Sequence, residues 1–257
     1  SNYEDDGLLK FSNYSTSAIK YNQGLFYPIV NLKGTDAGSN GGGLIIANNS
    51  SINNLVNDDE IIISMIIKFN NTVASNFNNM VIFSKSEDVS FDWKLKQNML
   101  LYFDNDRKLT FSLSDGLSFV NVVVEDFINY SVLPDAKLFR KIKIKITPTK
   151  IYLSYDNNEY VVADKEDEYD FNLTEDFRFG YQDTDLTGYS LIPNFEMMKF
   201  YLSRNGEKII DCDFREGAGR TYVIDRSGYD NHIKLDNKAL WATTFENLDY
   251  YLINTNI

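Results

Sequence analysis

Residues 211–235 read DCDFREGAGRTYVIDRSGYDNHIKL and hold the only cysteine of the 257-residue chain, Cys212, and its only histidine, His232. Asp225 and Asp230 stand beside two glycine-containing turns in the same stretch. A thiol, an imidazole and carboxylates are the material of nucleophilic catalysis or of a metal centre, provided their spacing brings them together. A catalytic thiolate needs a base within hydrogen-bond reach. Ile210, Cys212 and Phe214 alternate with Asp211 and Asp213, which places the cysteine on the core face of a strand. There it acts as a small buried apolar residue. After the turn Glu216-Gly217-Ala218-Gly219, Tyr222 and Ile224 are expected to resume the core. His232 falls on the outward face of a short strand, Ile233–Leu235, so thiol and imidazole face apart. One Cys and one His are also too few for a zinc site. Asp225 opens a second turn through Ser227-Gly228, where its carboxylate is expected to accept hydrogen bonds from loop amides.

The elements that must hold this stretch are strands. Apolar residues recur at strand spacing between clusters of Asn, Asp and Gly, and helical spacing is weak. Predicted strands are Leu44–Ala47, Ile61–Phe69, Val81–Ser84, Met99–Phe103, Leu109–Leu113 and Phe119–Glu125. Further along come Lys141–Thr147, Ile151–Tyr155, Glu159–Val162, Phe177–Tyr181, Phe195–Leu202, Lys208–Phe214 and Ile233–Leu235. Asp104-Asn105-Asp106-Arg107 and Asp156-Asn157-Asn158 read as hairpin loops, with Ser114-Asp115-Gly116 and Arg204-Asn205-Gly206 as similar punctuation. So many short strands imply an all-β, antiparallel two-sheet β-sandwich. The expected organisation is one domain over residues 1–240, with 241–257 as a tail, a linker or a final strand.

Composition narrows the partners. Hydrophobic residues make up 43% and aromatics 14%, enough for a packed core. The net charge of −12 argues against nucleic acid and anionic membranes, which require clustered Lys and Arg. The one basic run, Arg140–Ile146, alternates with isoleucine and reads as a strand with a solvated lysine face, at an edge or on an outer face. A single cysteine excludes an internal disulfide framework. No targeting peptide or membrane-spanning run is read.

The segment DFREGAGRTYVIDRSGYDNHIKL also resembles a block of laminin-G-like, concanavalin A-like jelly-roll domains. The matching residues are Phe214, Glu216, Gly217, Gly219, Asp225, Ser227, Gly228, Asn231 and His232. EIIISMIIKFN, MVIFSKSE and FRFGYQ resemble other strands of that family in compatible order. LFRKIKIKIT sits where the family usually carries a Trp, with Phe139 as the nearest stand-in. In many members the specific block lies at the front of the domain; here it lies at the back. That placement implies a circularly shifted layout or a second module beginning there. The resemblance implies a jelly-roll sandwich that binds glycans or protein surfaces, in some members with calcium near the ligand rim, and found in secreted bacterial proteins and phage tails or fibres.

Residues were weighed for each of these roles. Asp- and Asn-rich loops suit a hard oxygen-seeking cation, and the calcium candidates are Asp183, Asp185, Asp225 and Asp230. Glycan contact would use exposed aromatics beside polar loops: Tyr181, Tyr189 and Tyr229, with Asn231. Trp93 shares a face with Phe91 and Leu95 and reads as core, and the glycine-rich loop 34–43 as a rim or a connection. For a jelly-roll hydrolase the only run of alternating carboxylates is Asp164, Glu166 and Glu168, whose intervening residues are also charged, so it reads as a solvated loop. The expected function is therefore a non-catalytic module that binds cell-surface carbohydrate, on a secreted bacterial protein or a virion. The alternatives are an assembly domain making protein–protein contacts or a homo-oligomer, and a divergent glycoside hydrolase.

Overall fold

In the computed structural model the described residues are 2–3, 9–10, 24–32, 43–53, 55–57, 60–69, 80–86, 97–104, 106, 108–125, 127, 139–156, 158–165, 171–180, 195–216, 221–236 and 240–247. In chain order the strands begin with β1 (Asn2–Tyr3), β2 (Leu9–Lys10), β3 (Gly24–Leu32), β4 (Gly43–Ile46), β5 (Ile61–Phe69) and β6 (Val81–Ser86). Next come β7 (Gln97–Phe103), β8 (Leu109–Asp115), β9 (Phe119–Val124), β10 (Arg140–Ile146), β11 (Lys150–Tyr155) and β12 (Val161–Asp164). The last are β13 (Phe177–Phe179), β14 (Phe195–Arg204), β15 (Glu207–Asp213), β16 (Tyr222–Val223), β17 (Ile233–Asp236) and β18 (Leu240–Asn247).

Two antiparallel sheets face each other. One runs β12-β11-β10-β5-β14-β3-β18, with β15 also on β14; the other runs β16-β17-β4-β13-β6-β7-β8-β9. β1 and β2 form a separate pair. Alternation explains which side faces in. Ile61, Ile63, Met65, Ile67 and Phe69 of β5 are buried, as are Ile142, Ile144 and Ile146 of β10. β10 lies between β5 and β11, so its lysines occupy the outer face of an interior strand, not an edge. β14 changes phase midway: Phe195 and Met197 point in, then Phe200 and Leu202. A bulge against β5 at Met198 absorbs the extra residue.

Phenylalanine fills the space between the sheets. Phe69 packs edge-on against Phe103 at 5.3 Å, and Phe179 against Phe200 at 4.7 Å. Asn205 and Gly206 join β14 to β15 with φ of 50° and 81°, the primed turn that an Asn-Gly pair favours. The segment resembling the family block belongs to this sandwich, since β16 pairs with β17 and β17 with β4. Of the segment 241–257, read as a tail, a linker or a final strand, residues 241–247 lie in β18, which pairs along β3.

Candidate functional site

The chain turns from β15 through a single 3-10 turn, Phe214–Glu216, and comes back past it as β16 and the Asp225 turn. Asp225 bridges to Cys212 and is 5% exposed. Its Oδ1 accepts from the amides of Asp211 at 2.8 Å and Ser227 at 3.0 Å. Its Oδ2 accepts from the Asn231 amide at 2.9 Å and lies 2.6 Å from the Ser227 hydroxyl. The expected loop-tying role for Asp225 thus describes its surroundings. Gly228, at φ 96°, allows the tight return, and Asp230 at 58° completes it.

Asn231 is 1% exposed, and its amide serves the interior. Oδ1 accepts from Asn49 Nδ2 at 2.5 Å, while Nδ2 donates to Ser51 Oγ at 2.9 Å and to the Ile209 carbonyl at 2.8 Å. This overturns its assignment to a ligand: a buried amide with every polar atom engaged has nothing left to offer a sugar. It fastens the loop after β4 to the Asp225 turn.

The same geometry bears on the Asp225 carboxylate as a ligand. A calcium ion needs several free oxygen ligands. The Asp225 carboxylate already meets four donors, so it does not fit a metal-ligand role, and the exposed Asp230 stands without a partner carboxylate set. Among the described residues no group of three or more His, Cys, Asp or Glu side chains could hold a metal. Asp183 and Asp185, with Tyr181 and Tyr189, lie outside the described residues, as do Trp93, Glu166 and Glu168.

Above this floor sits a rim of exposed side chains. Val223 is buried, whereas Tyr222 and Ile224 are 40% and 39% exposed, the reverse of the expected phase. The physical reason is Asp225: it must point inward to collect its amides, and that fixes odd-numbered residues as the inward set. Tyr222 stacks on the His232 imidazole at 5.4 Å and 11°. His232 Nδ1 accepts the Asp225 amide at 3.1 Å. Tyr229, also exposed, donates its hydroxyl to Glu207, and that bond raises the phenol pKa. Burial raises the Cys212 thiol far above its ordinary pKa, and Asp225 and Asp211 add to the effect, so the thiol stays protonated and inert.

Sequence reasoning passed over Lys85. It is fully buried on the inward side of β6, opposite Met99 and Phe177. Its ammonium donates to Asn48 Oδ1 at 2.8 Å and to the Glu175 carbonyl. The Asn48 amide in turn donates to Asp176 Oδ1 at 2.9 Å, so the cation ties together the loops after β4 and before β13. Lys165 is also buried, 6% exposed, with Nζ donating to the Val56 carbonyl at 3.0 Å. That corrects its reading as part of a solvated loop; Asp164 beside it is exposed. Lys85 had a signal, since alternation from the apolar Phe83 points it inward.

The arrangement of strands is a two-sheet antiparallel jelly-roll β-sandwich. A chain described as a putative carbohydrate-binding protein from Bacteroides ovatus superposes with a TM-score of 0.55 at 9% identity, over 87% of this chain and 60% of that one. A botulinum neurotoxin type C chain, from work describing cell entry as dependent on two ganglioside molecules, superposes with a TM-score of 0.50 at 16% identity, over 69% and 39%. Domains LG4-5 of the mouse laminin alpha1 chain give 0.46 at 14% identity, over 70% and 41%. The chain therefore spans between 39% and 60% of the length of these solved chains. No protein-family model matches the sequence, and no curated protein matches it either. Among the described residues no helix is long and apolar enough to cross a membrane.

Proposed function

We propose that the chain is a non-catalytic recognition module that binds carbohydrate outside the cell, as part of a secreted bacterial protein or a virion. The observation that carries this reading is the rim. Tyr222 and Tyr229 are each 40% exposed beside a turn whose floor is tied together by Asp225 and Asn231, with Tyr222 stacked on His232 on one side. Exposed aromatics on a rigid scaffold are what a sugar face stacks against, and they lose little entropy on binding. The fold shared with a putative carbohydrate-binding protein supports the same assignment. No nucleophile in the described stretch supports catalysis, because Cys212 is buried and protonated.

The test is a glycan array probed with the intact chain, with and without EDTA. A saturable hit should be lost in Y222A and Y229A. A binding signal that both variants retain in full would remove the rim from the reading, and sensitivity to EDTA would return calcium to it.

A protein-contact reading has its own observation. The end strands β9 and β12 of the two sheets approach within 8 Å, and Phe119, Val161 and Val162 beside them are 43%, 40% and 44% exposed, with Leu117 at 91%. Exposed apolar residues along approaching end strands are a mark of a partner surface. A folded sample that ignores every glycan yet self-associates in sedimentation would favour it.

A further inference from the structure

The inward face of β6 carries a lysine among phenylalanines. Lys85 is fully buried and stands opposite Phe177 of β13 and Met99 of β7. Phe83, two residues back on the same face, packs against the Phe177 ring at 4.9 Å. β13 lies between β4 and β6, so the Lys85 side chain reaches past it to the residues that follow β4. There Nζ donates to Asn48 Oδ1 at 2.8 Å, across 37 positions of sequence, and to the Glu175 carbonyl. Both acceptors are neutral oxygens. Asp176 and Glu175 act on the ammonium through their charge, and Asp176 Oδ1 accepts the Asn48 backbone amide at 2.9 Å, which fixes that residue beside β13.

An amine and a carboxamide held in contact are the two reactants of an amide exchange. A lysine amine is a nucleophile when it is neutral, and burial favours the neutral form. The carbonyl carbon of Asn48 is bonded to the oxygen that Nζ already touches, so the electrophile is one atom beyond the contact. Holding both groups on one sheet replaces an encounter between molecules by a reaction within one. Reaction also removes a buried charge. An amide nitrogen has one proton to place, whereas the ammonium sets three against two neutral oxygens. Asn48 is half-buried, which leaves a departing nitrogen a path to solvent.

We propose that Lys85 and Asn48 join side chain to side chain in a spontaneous isopeptide bond. Once the ammonium has given a proton to solvent, the Nζ lone pair forms a bond to Asn48 Cγ. The Cγ–Nδ2 bond then breaks with its electron pair on Nδ2, a proton passes from Nζ to Nδ2, and ammonia leaves. The product is a neutral secondary amide, formed with no change of oxidation state and no co-reactant. In freshly folded chain the amine is free and titrates; once the bond has formed it no longer does. The bond ties the segment after β4 to β6 across β13, and Asn49, next in the chain, holds Asn231 beneath the rim. It acts on the scaffold and does not depend on any ligand at the rim.

Mass spectrometry and tryptic mapping of the full chain test the idea. During incubation of the folded chain at about pH 9, above the lowered pKa of Lys85, one ammonia should be lost. Trypsin should then fail to cut after Lys85, and one product should hold the peptides of Asn48 and Lys85 joined. At about pH 7 the bond should form about tenfold more slowly, in proportion to the neutral fraction of the amine. N48A and K85R should keep their full mass, the arginine because its guanidinium stays protonated. Separate peptides from the unaltered chain after incubation at about pH 9 would overturn the proposal. So would an equal loss of ammonia from N48A and K85R, which would trace the loss to another asparagine. A cooperative melting transition establishes that each variant is folded, and the map of the unaltered chain decides the matter even where a variant is not.

Discussion

At the Asp225 turn a single buried carboxylate is met by three backbone amides and a hydroxyl, whereas on the outer face of β10 Lys141 and Lys199 stand opposite Ile66, and Lys143 opposite Ser64. Both regions are dense in polar groups, and both stand out in the sequence. They differ in burial: the carboxylate is enclosed, whereas the lysines are half-buried and keep contact with solvent. Where every lone pair and proton has an internal partner, the polar residues hold the fold together and have nothing left for a ligand. Where like charges stand side by side at a surface, they repel one another and solvent screens most of the cost. Rarity of residue type does not separate the two cases, since the only Cys and His fall in the first.

The sharpest way to break that contrast is D225A. The substitution orphans three backbone amides in a buried turn, while the Ser227 hydroxyl keeps the Ile209 carbonyl, and should cost about 3–5 kcal/mol in urea unfolding with an unchanged slope. D225N keeps one acceptor oxygen and should fall between. A loss under about 1 kcal/mol would mean that the donors find water, and that the turn is not the internally closed unit described above.

Lys85 offers a buried cation to set against the exposed ones. Its pKa is lowered from 10.5 to about 8, chiefly by burial, with Asp176 and Glu175 opposing. The folded chain therefore holds this proton less tightly than the unfolded one. Between about pH 8 and 10.5 the unfolded state binds more protons, so this group makes stability rise with pH across that window. Below pH 8 the penalty is complete and flat, roughly 3 kcal/mol on this shift. Denaturant midpoints at pH 7.5 and pH 10 should show the rise in the unaltered chain and a flatter profile in K85M. An identical pH response in the two would place the proton elsewhere.

How far these regions were legible in the sequence follows from the same physics. Period-two alternation located β5, β10 and β14 to within two residues at each end, because a sandwich strand must send every second side chain into the core. β3 escaped notice: Pro28 interrupts its apolar run and argues against a strand. Cys212 as core and Asp225 as a loop tie were readable from local pattern alone. The phase of Tyr222 and Ile224 was not, because a turn resets alternation and a long-range requirement, the inward carboxylate of Asp225, sets the new phase. Asn231 was misassigned for a related reason: its partners Asn49 and Ser51 are some 180 residues away in sequence. Alternation from Phe83 marked Lys85 as inward, but neither its acceptors, Asn48 and the Glu175 carbonyl, nor the Val56 carbonyl that holds Lys165 could be read, since all are distant in sequence.

The rim and the floor beneath it predict effects of different size. Tyr222 is exposed, so Y222A should lose only the stack on His232, about 1 kcal/mol or less. Y222F should be neutral. A loss comparable to that of D225A would show that the stack holds His232 Nδ1 on the Asp225 amide, making Tyr222 part of the closed unit and withdrawing it from the surface available to sugar.

The lysine face should answer with the opposite sign. Removing a group from the Asp225 turn destabilises, because its partners lose their only match. Removing Lys141 relieves repulsion from Lys143 and Lys199 and reduces the burial of charge, the larger of the two causes that lower its pKa. Solvent reaches this group, so the gain is small: K141Q should raise stability by about 0.3–0.5 kcal/mol at low salt, the range for like charges at a surface. At about 0.5 M salt, where the Debye length is roughly 4 Å, the gain should shrink toward zero, because the repulsion it removes is already screened. K145Q is the matched control on the same strand: Lys145 is paired with Glu60, and its substitution should not stabilise. If K141Q destabilises at every salt concentration, Lys141 contributes more through its own contacts than it loses to Lys143 and Lys199, and the outer face of β10 is built on the same plan as the Asp225 turn.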